Sequence, residues 1–303
     1  MKNPQNTQAN CIQIPDYELI DCGNFEKLER FGQYCLIRPE SQALWNKRLD
    51  DEQWRDIAHA HFRREGQKIT SRSAETGKGG WNFYKKMPEK WIISCPLPSG
   101  QFKIKLSLTS FGHVGIFPEQ ISNWYFIQNA IKESSIQNPR VLNAFAYTGG
   151  ASLAARIAGA EVTHLDAVKQ VVAWGRENME LNKLKDIRWI VDDALKFLKR
   201  EVKRGKTYDG IILDPPAYGR GPNGERWILD EGINDVLSTC SKLISGQNSF
   251  FILNLYSLGY SPLIGKNLVD SHYQYKTIEY GESSLISQSG IDLPLGIFVR
   301  FRN

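Results

Sequence analysis

Four segments of the chain bring chemically capable residues to places where an apolar run stops. VLNAFA at 141–146 leads into YTGGAS, with adjacent Gly149 and Gly150; VTHLD ends on Asp166; IRWIV is followed by Asp192 and Asp193; IILDPPAYGRG at 211–221 halts on Asp214 before Pro215 and Pro216 stiffen the next positions. Asp166 stands about 20 residues beyond the glycine turn, where an acid commonly takes ribose hydroxyls, because a carboxylate accepts two hydrogen bonds at once. An acid at the next tip comes within reach of an adenine's exocyclic amine, although one of that pair can instead cap the helix that starts at Ala194. The glycine turn alone says little, since glycine between strand and helix often serves tight packing. It is neither G-x-G-x-x-G nor G-x-x-x-x-G-K-[ST], so pyrophosphate and triphosphate cradles find no support. Together the four tips describe a pocket for an adenosine that carries no phosphate.

Tips of this kind need strands that end side by side. Between the apolar runs lie ASLAARIAG, VKQVVAWGRENMELN, ALKFLKREVKRG and a helix expected around residues 228–244; SFFILNLY closes the series, and YKTIEY and GIFVRF could complete the far edge. Short strands alternating with helices of about 10 to 15 residues mean βαβ units, with the ligand outside the carboxyl ends of the strands. Up to about Phe111 the rhythm differs: YCLIR, WIISC and FKIKLSL are strand-like runs broken by glycine and proline, with one helix expected near residues 53–64. The expected fold class is α/β, a Rossmann-like, mostly parallel sheet with helices on both faces. Residues 1–111 are expected to form a small β-rich N-terminal domain, 112–138 a connecting segment and 139–303 the catalytic domain.

A chain of 303 residues with ordinary apolar and charged fractions can bury a full core. No apolar run approaches the roughly 20 residues that cross a bilayer, and the start MKNPQNTQAN is polar, so a cytoplasmic protein without a membrane partner is expected. Cys11, Cys22, Cys35, Cys95 and Cys240 are scattered without CxxC spacing, which points to reduced thiols and to no metal. The net charge of +5 is local in origin: residues 61–110 hold ten Lys and Arg against three Asp and Glu. Arg63, Arg64, Lys68, Arg72, Lys78, Lys85, Lys86, Lys103 and Lys105 are interleaved there with Trp81, Phe83, Tyr84 and Trp91. That mixture suits phosphate contacts beside stacking surfaces, and equally a solvated face of a β-rich module.

In order and at the usual spacing, VLNAFAYTGGASLAA, THLDAVKQVVAWGRENMELN, WIVDDALKFLKREVKRG and YDGIILDPPAYGRGP resemble class I S-adenosylmethionine-dependent methyltransferases, and within them the group related to bacterial 23S rRNA methyltransferases. The resemblance covers most of residues 139–255, and FGHVGIFPEQISNW looks like the segment joining this group's small N-terminal domain to its catalytic domain. It implies S-adenosylmethionine as cofactor, with Phe145, Tyr147, Thr148 and Gly149 around the methionine end, Asp166 and Ala167 at the ribose, Asp193 and Ala194 at the adenine, and Asp214 beside them. It also implies that DPPAY closes the sheet above the methyl group. There Asp214 and the Pro215 carbonyl accept hydrogen bonds from an amino group being methylated, and Tyr218 stacks a target base, so these three form the catalytic set.

Arg220 and Arg226, on a loop free to swing over the acceptor, are the candidate RNA contacts together with Lys85 and Lys86. The sulfonium is an activated donor, so positioning is the main lever. Relatives that methylate cytosine at carbon 5 need a cysteine thiolate. Here LNLYSLGYS puts Tyr256 and Ser257 at that place, and Cys240, on the preceding helix, reads as core filler. RNA, ribosomal RNA first, is the expected partner, with a nitrogen or oxygen acceptor. A protein or small-molecule methyltransferase is the alternative, as is a noncatalytic RNA-binding protein that retains the fold. A nicotinamide dehydrogenase would want the three-glycine fingerprint. The oligomeric state is not legible.

Overall fold

The computed structural model describes residues 13–64, 79–256 and 259–303. Tyr17–Gly23 (β1), Glu26–Phe31 (β2), Tyr34–Pro39 (β3), Ala60–Arg64 (β4) and Gly79–Phe83 (β5) form a sheet in chain order, antiparallel except that β3 and β4 are parallel. The helix expected over residues 53–64 is two elements. Asp51–Ile57 (α1) starts on a capping box in which Asp50 accepts from the Gln53 amide at 2.8 Å and Gln53 answers at 3.0 Å, a device of about 1 kcal/mol. It ends at Ala58, whose backbone is extended, because His59 donates to the Cys35 carbonyl and Ala60 to Phe62 are buried against β3 and β5. Sheet pairing there overrides helix propensity.

Lys90–Leu97 (β6) and Gly100–Ser107 (β7) form a separate antiparallel hairpin. Its Ile93, Phe102 and Ile104 share one core with Trp124 and Ile127 of Ile121–Glu133 (α2) and Leu153 of Gly150–Ile157 (α3). The larger sheet then alternates: Arg140–Ala144 (β8), Glu161–Asp166 (β9), Lys169–Leu181 (α4), Ile187–Val191 (β10), Ala194–Lys203 (α5) and Gly210–Leu213 (β11). After a small hairpin of Tyr218–Arg220 (β12) and Arg226–Ile228 (β13) come Leu229–Cys240 (α6), Phe250–Tyr256 (β14), Pro262–Asp270 (α7), Thr277–Ile286 (β15) and Asp292–Arg302 (β16). The strand order is β10-β9-β8-β11-β14-β16-β15, parallel up to β14 and antiparallel in the last two, which form the far edge.

This is the α/β, mostly parallel architecture expected, with a β-rich N-terminal region. Strands β8 and β11 are neighbours although β9 and β10 continue on one side only, so the order switches between them and leaves a crevice at their carboxyl ends. Val141, Ile212 and Ile252 enter the core on the α2–α3 side; Leu142, Ile211, Leu213 and Leu253 enter the core under α5 and α6. With a period of two, Asp214 and Asn254 therefore face the α2 side at the strand tips. No helix among the described residues is long and apolar enough to cross a membrane.

Candidate active site

Past β8 the chain passes through Phe145 (φ 57°), Tyr147 (φ 50°) and Gly149 (φ 94°) before α3 begins. Left-handed backbone at two aromatic residues costs of order 1–3 kcal/mol each and persists only where the surroundings over-determine it. Asp166, at the tip of β9, does this: one oxygen accepts from the Tyr147 amide and the other from the Val168 amide, both at 2.9 Å. Gly150 answers a different need, since a Cβ there would lie 2.7 Å from the Trp124 indole. Thr148, expected at the cofactor, is buried; its hydroxyl donates to the Gly115 carbonyl at 2.6 Å, and its carbonyl accepts from Asn178 at 3.0 Å. It lines the cleft while tying the loop to the connecting segment.

The cleft lies between this loop, residues 115–124 and the tips of β8, β11 and β14; Phe145, Tyr147, Gly149, Asp214, Gln120 and Asn254 are on its wall. Asp214 is half-buried, and burial pushes its carboxyl up to about 7. Glu119, in the turn before α2, is buried and also pushed up to about 7, chiefly by burial, with Lys27 opposing and Asp214 adding to the rise. Behind it stand the buried charges of the N-terminal sheet. Arg38 grips Glu29 at 2.7 and 2.8 Å, Tyr17 donates to Glu29 at 2.9 Å, and Lys27 pairs with Glu40 at 3.0 Å. Arg38 also reaches the Gly112 carbonyl at 3.3 Å, fixing that sheet to the connecting segment. Sequence reading passed over Glu119, Gln120 and Asn254; the signal available was an acid and an amide inside the apolar run VGIFPEQI.

The segment after Asp214 departs from the swinging loop expected. Strands β12 and β13 pair Tyr218 with Ile228 and Arg220 with Arg226. Trp227 donates from its indole to the Pro216 carbonyl at 2.7 Å and packs on Phe145 at 5.0 Å, while Glu225 holds Lys196 at 2.6 Å and the Asn223 amide at 2.9 Å. An anchored indole makes the hairpin, and alternation puts Tyr218, Arg220 and Arg226 on the face opposite Trp227. Tyr218 is 59% exposed and Pro215 is buried.

After β10 the capping role falls on Asp193, which accepts from the Lys196 amide at 2.9 Å at the start of α5, next to buried Ala194; Asp192 pairs with Arg200. Val168, exposed just past Asp166 and Ala167, adds an apolar ledge that sequence reading did not name. Lys85 is not free: its ammonium lies against the Asp56 and Ile57 carbonyls at the end of α1. Lys86 is exposed, and neither lysine lines the cleft. The basic segment is not one surface either. Arg63 and Arg64 are on β4, whereas Lys103 and Lys105 are on β7, where Lys105 pairs with Glu177 at 2.6 Å; Trp81 and Trp91 go into packing. Lys68, Arg72, Lys78, Cys11 and Ser257 lie outside the described residues. Cys240 is buried filler as expected, as are Cys22, Cys35 and Cys95, and among the described residues no cluster could hold a metal.

The residues fit an adenosine with a cationic tail. Acids stand at the tips of β9 and β10, and Asp214, with no ion-pair partner among the described residues, suits a positive centre such as a sulfonium. The family described as S-adenosylmethionine-dependent methyltransferase matches residues 98–268. The crystal structure of an S-adenosylmethionine-dependent methyltransferase from Agrobacterium tumefaciens is 37% identical with a TM-score of 0.84, over 95% of this chain and 90% of that one. The fold is shared, at 19% identity and a TM-score of 0.68 over 91% of this chain and 71% of that one, with a protein solved in complex with S-adenosylhomocysteine. Ribosomal RNA large subunit methyltransferase K/L of Shewanella frigidimarina is 29% identical over 255 residues, 80% of this chain and 34% of that protein. The chain spans less than half the length of the curated relatives it matches.

Proposed function

We propose an RNA base, in ribosomal RNA first, as the methyl acceptor of this chain, which belongs to the S-adenosylmethionine-dependent methyltransferase family. The observation that carries the acceptor is the outer face of the β12–β13 hairpin. Arg220 and Arg226 stand directly across from each other, both exposed, beside an exposed tyrosine four residues past Asp214. Like charges opposed on a hairpin repel. A phosphate between them relieves that repulsion, and Tyr218 offers the adjoining base a stacking face. The relatives named as ribosomal RNA large subunit methyltransferases support the same substrate class, and that work belongs in the cytoplasm.

The bound cofactor supplies a methyl group already activated on a sulfonium. The chain's part is to hold the acceptor in line with it. The Asp214 carboxylate and the Pro215 carbonyl accept hydrogen bonds from an amino group of the base, and the hairpin keeps the base stacked. The four described cysteines are buried and none lines the cleft, which favours a nitrogen or oxygen acceptor over cytosine carbon 5. We assign residues 139–303 to catalysis, 112–138 to the connection and 1–111 to acceptor handling, with the β6–β7 hairpin docked on the catalytic part. The test is tritium transfer from labelled cofactor onto total RNA and total protein from cells lacking the enzyme. Label is expected in ribosomal RNA and, after digestion, on a nucleobase; label in protein alone, or in neither, overturns the proposal.

A further inference from the structure

At the floor of the cleft three amides close a ring. Asn123 Nδ2 donates to Gln120 Oε1 and to Asn254 Oδ1, both at 2.9 Å, and Asn254 Nδ2 donates to Gln120 Oε1 at 3.0 Å. Such a ring could run in either sense, because a half-turn of each amide exchanges donor and acceptor. Arg300 removes the choice. A guanidinium only donates, and Arg300 Nη1 reaches Asn123 Oδ1 at 3.2 Å and the Ser122 carbonyl at 3.1 Å. Arg300 is itself fixed, paired with Glu279 at 2.8 and 2.7 Å and placed over the Phe126 and Phe298 rings at 4.8 and 4.7 Å.

With its oxygen toward Arg300, Asn123 must turn both N–H groups into the ring, and Gln120 and Asn254 must turn their oxygens to meet them. Gln120 then has both lone pairs of its oxygen occupied and two N–H groups uncommitted, and Asn254 has one. Gln120 and Asn254 line the cleft. Gln120 is also the N-cap residue of α2, with no side-chain cap bond, at the positive end of the helix dipole. The wall is thus donor-rich and uncharged, close to the acid Asp214, whose neighbour Leu213 pairs in register with Leu253, next to Asn254.

We infer that this amide wall recognises the carboxylate at the amino-acid end of the cofactor, and that Arg300, without touching the ligand, is the positioning residue that sets its polarity. The inference rests on the cofactor assignment above. A sulfonium with an amino-acid tail carries two cations and one carboxylate; Asp214 suits the former and the amide donors the latter. Asn123 and Asn254 are 2% and 4% exposed, too deep for a polymer phosphate to reach.

The test is calorimetric binding of S-adenosylhomocysteine and of its decarboxylated analogue, which keeps the nucleoside, the thioether and the amine. The wild-type protein is expected to prefer the carboxylate by roughly ten- to a hundredfold, the range of a hydrogen bond to a charged group. Gln120→Ala removes the donors, and Asn123→Asp, which pairs with Arg300 but cannot donate to the ring, lets Gln120 reverse; both are expected to reduce the preference to a few-fold, with affinity for the decarboxylated analogue retained. Arg300→Met is expected to do the same; should it fail to fold, Asn123→Asp carries the test of polarity. A preference unmoved in both Gln120→Ala and Asn123→Asp overturns the inference alone. A wild-type protein that binds neither ligand overturns the cofactor assignment, and the inference with it.

Discussion

Asp214 accepts a hydrogen bond from an amine most strongly as the carboxylate, yet burial pushes its carboxyl up to about 7 from its ordinary 3.8. Methyl transfer should therefore fall by about tenfold per pH unit on the acid side of an apparent value near 7, and Asp214→Asn should flatten that limb while slowing transfer by roughly a hundredfold or more. Because Asp214 adds to the rise of the Glu119 carboxyl, Asp214→Asn should also bring Glu119 down toward its ordinary value. A limb that survives unchanged in Asp214→Asn would assign the titration to another group. Asp166 holds the Tyr147 and Val168 amides at the tip of β9, where we place the cofactor's ribose. Asp166→Ala should cost on the order of 1.5 to 3 kcal/mol of S-adenosylhomocysteine affinity, the scale of hydrogen bonds to a charged acceptor, and also loosen a loop whose left-handed residues it over-determines. Calorimetry showing unchanged affinity would take Asp166 out of the site.

The β12–β13 hairpin is the element on which the acceptor depends. Arg220→Glu with Arg226→Glu should abolish RNA binding and leave S-adenosylhomocysteine affinity intact. A milder pair, Arg220→Gln with Arg226→Gln, should lower the slope of log affinity against log salt by roughly 0.7, the value for the one single-stranded phosphate held between them; an unchanged slope would mean that the arginines touch no phosphate. Sequence alone could not place this hairpin. Its strands are three residues each, too short for alternation to register, and it exists because Trp227 reaches back to Pro216 and Phe145. By contrast, α5 declared itself, because Ala194, Phe197, Leu198 and Glu201 are buried at helical spacing, and β11 is a continuous apolar run and β14 one broken only at Asn254, of the kind a sheet covered on both faces requires. The strand at Ala60–Arg64 was lost to a helix expectation because its partners lie elsewhere in the chain. The amide ring left no trace for the same reason: Gln120 and Asn254 are 134 positions apart, and Asn123 and Arg300 are 177.

Over the whole molecule, Asp214, Glu119 and His164, all shielded from water by the fold, pull stability in opposite directions with pH. Asp214 and Glu119 have ordinary values of 3.8 and 4.5 and folded values of about 7, so across that interval the native state holds protons that the unfolded chain has lost, and stability falls as pH rises. His164, fully buried and ordinarily 6.5, is pushed down to about 3 by that burial. Between that value and 6.5 the unfolded chain holds the extra proton, so the His164 contribution to stability rises with pH. The two carboxyls outweigh the one histidine over the window they share, so these three groups together lower the melting temperature as pH rises from about 4.5 to 6.5. Asp214→Asn combined with Glu119→Gln removes one side of this balance. In that variant the melting temperature should climb steadily from about pH 4.5 to 6.5. Near pH 7.5, where the parent must keep two ionised carboxylates buried, it should exceed the parent's by several degrees, at about 2–4 °C per kcal/mol for a chain of this order of size. A variant whose melting temperature tracks the parent's at every pH would show that neither carboxyl is held away from its ordinary value by the fold.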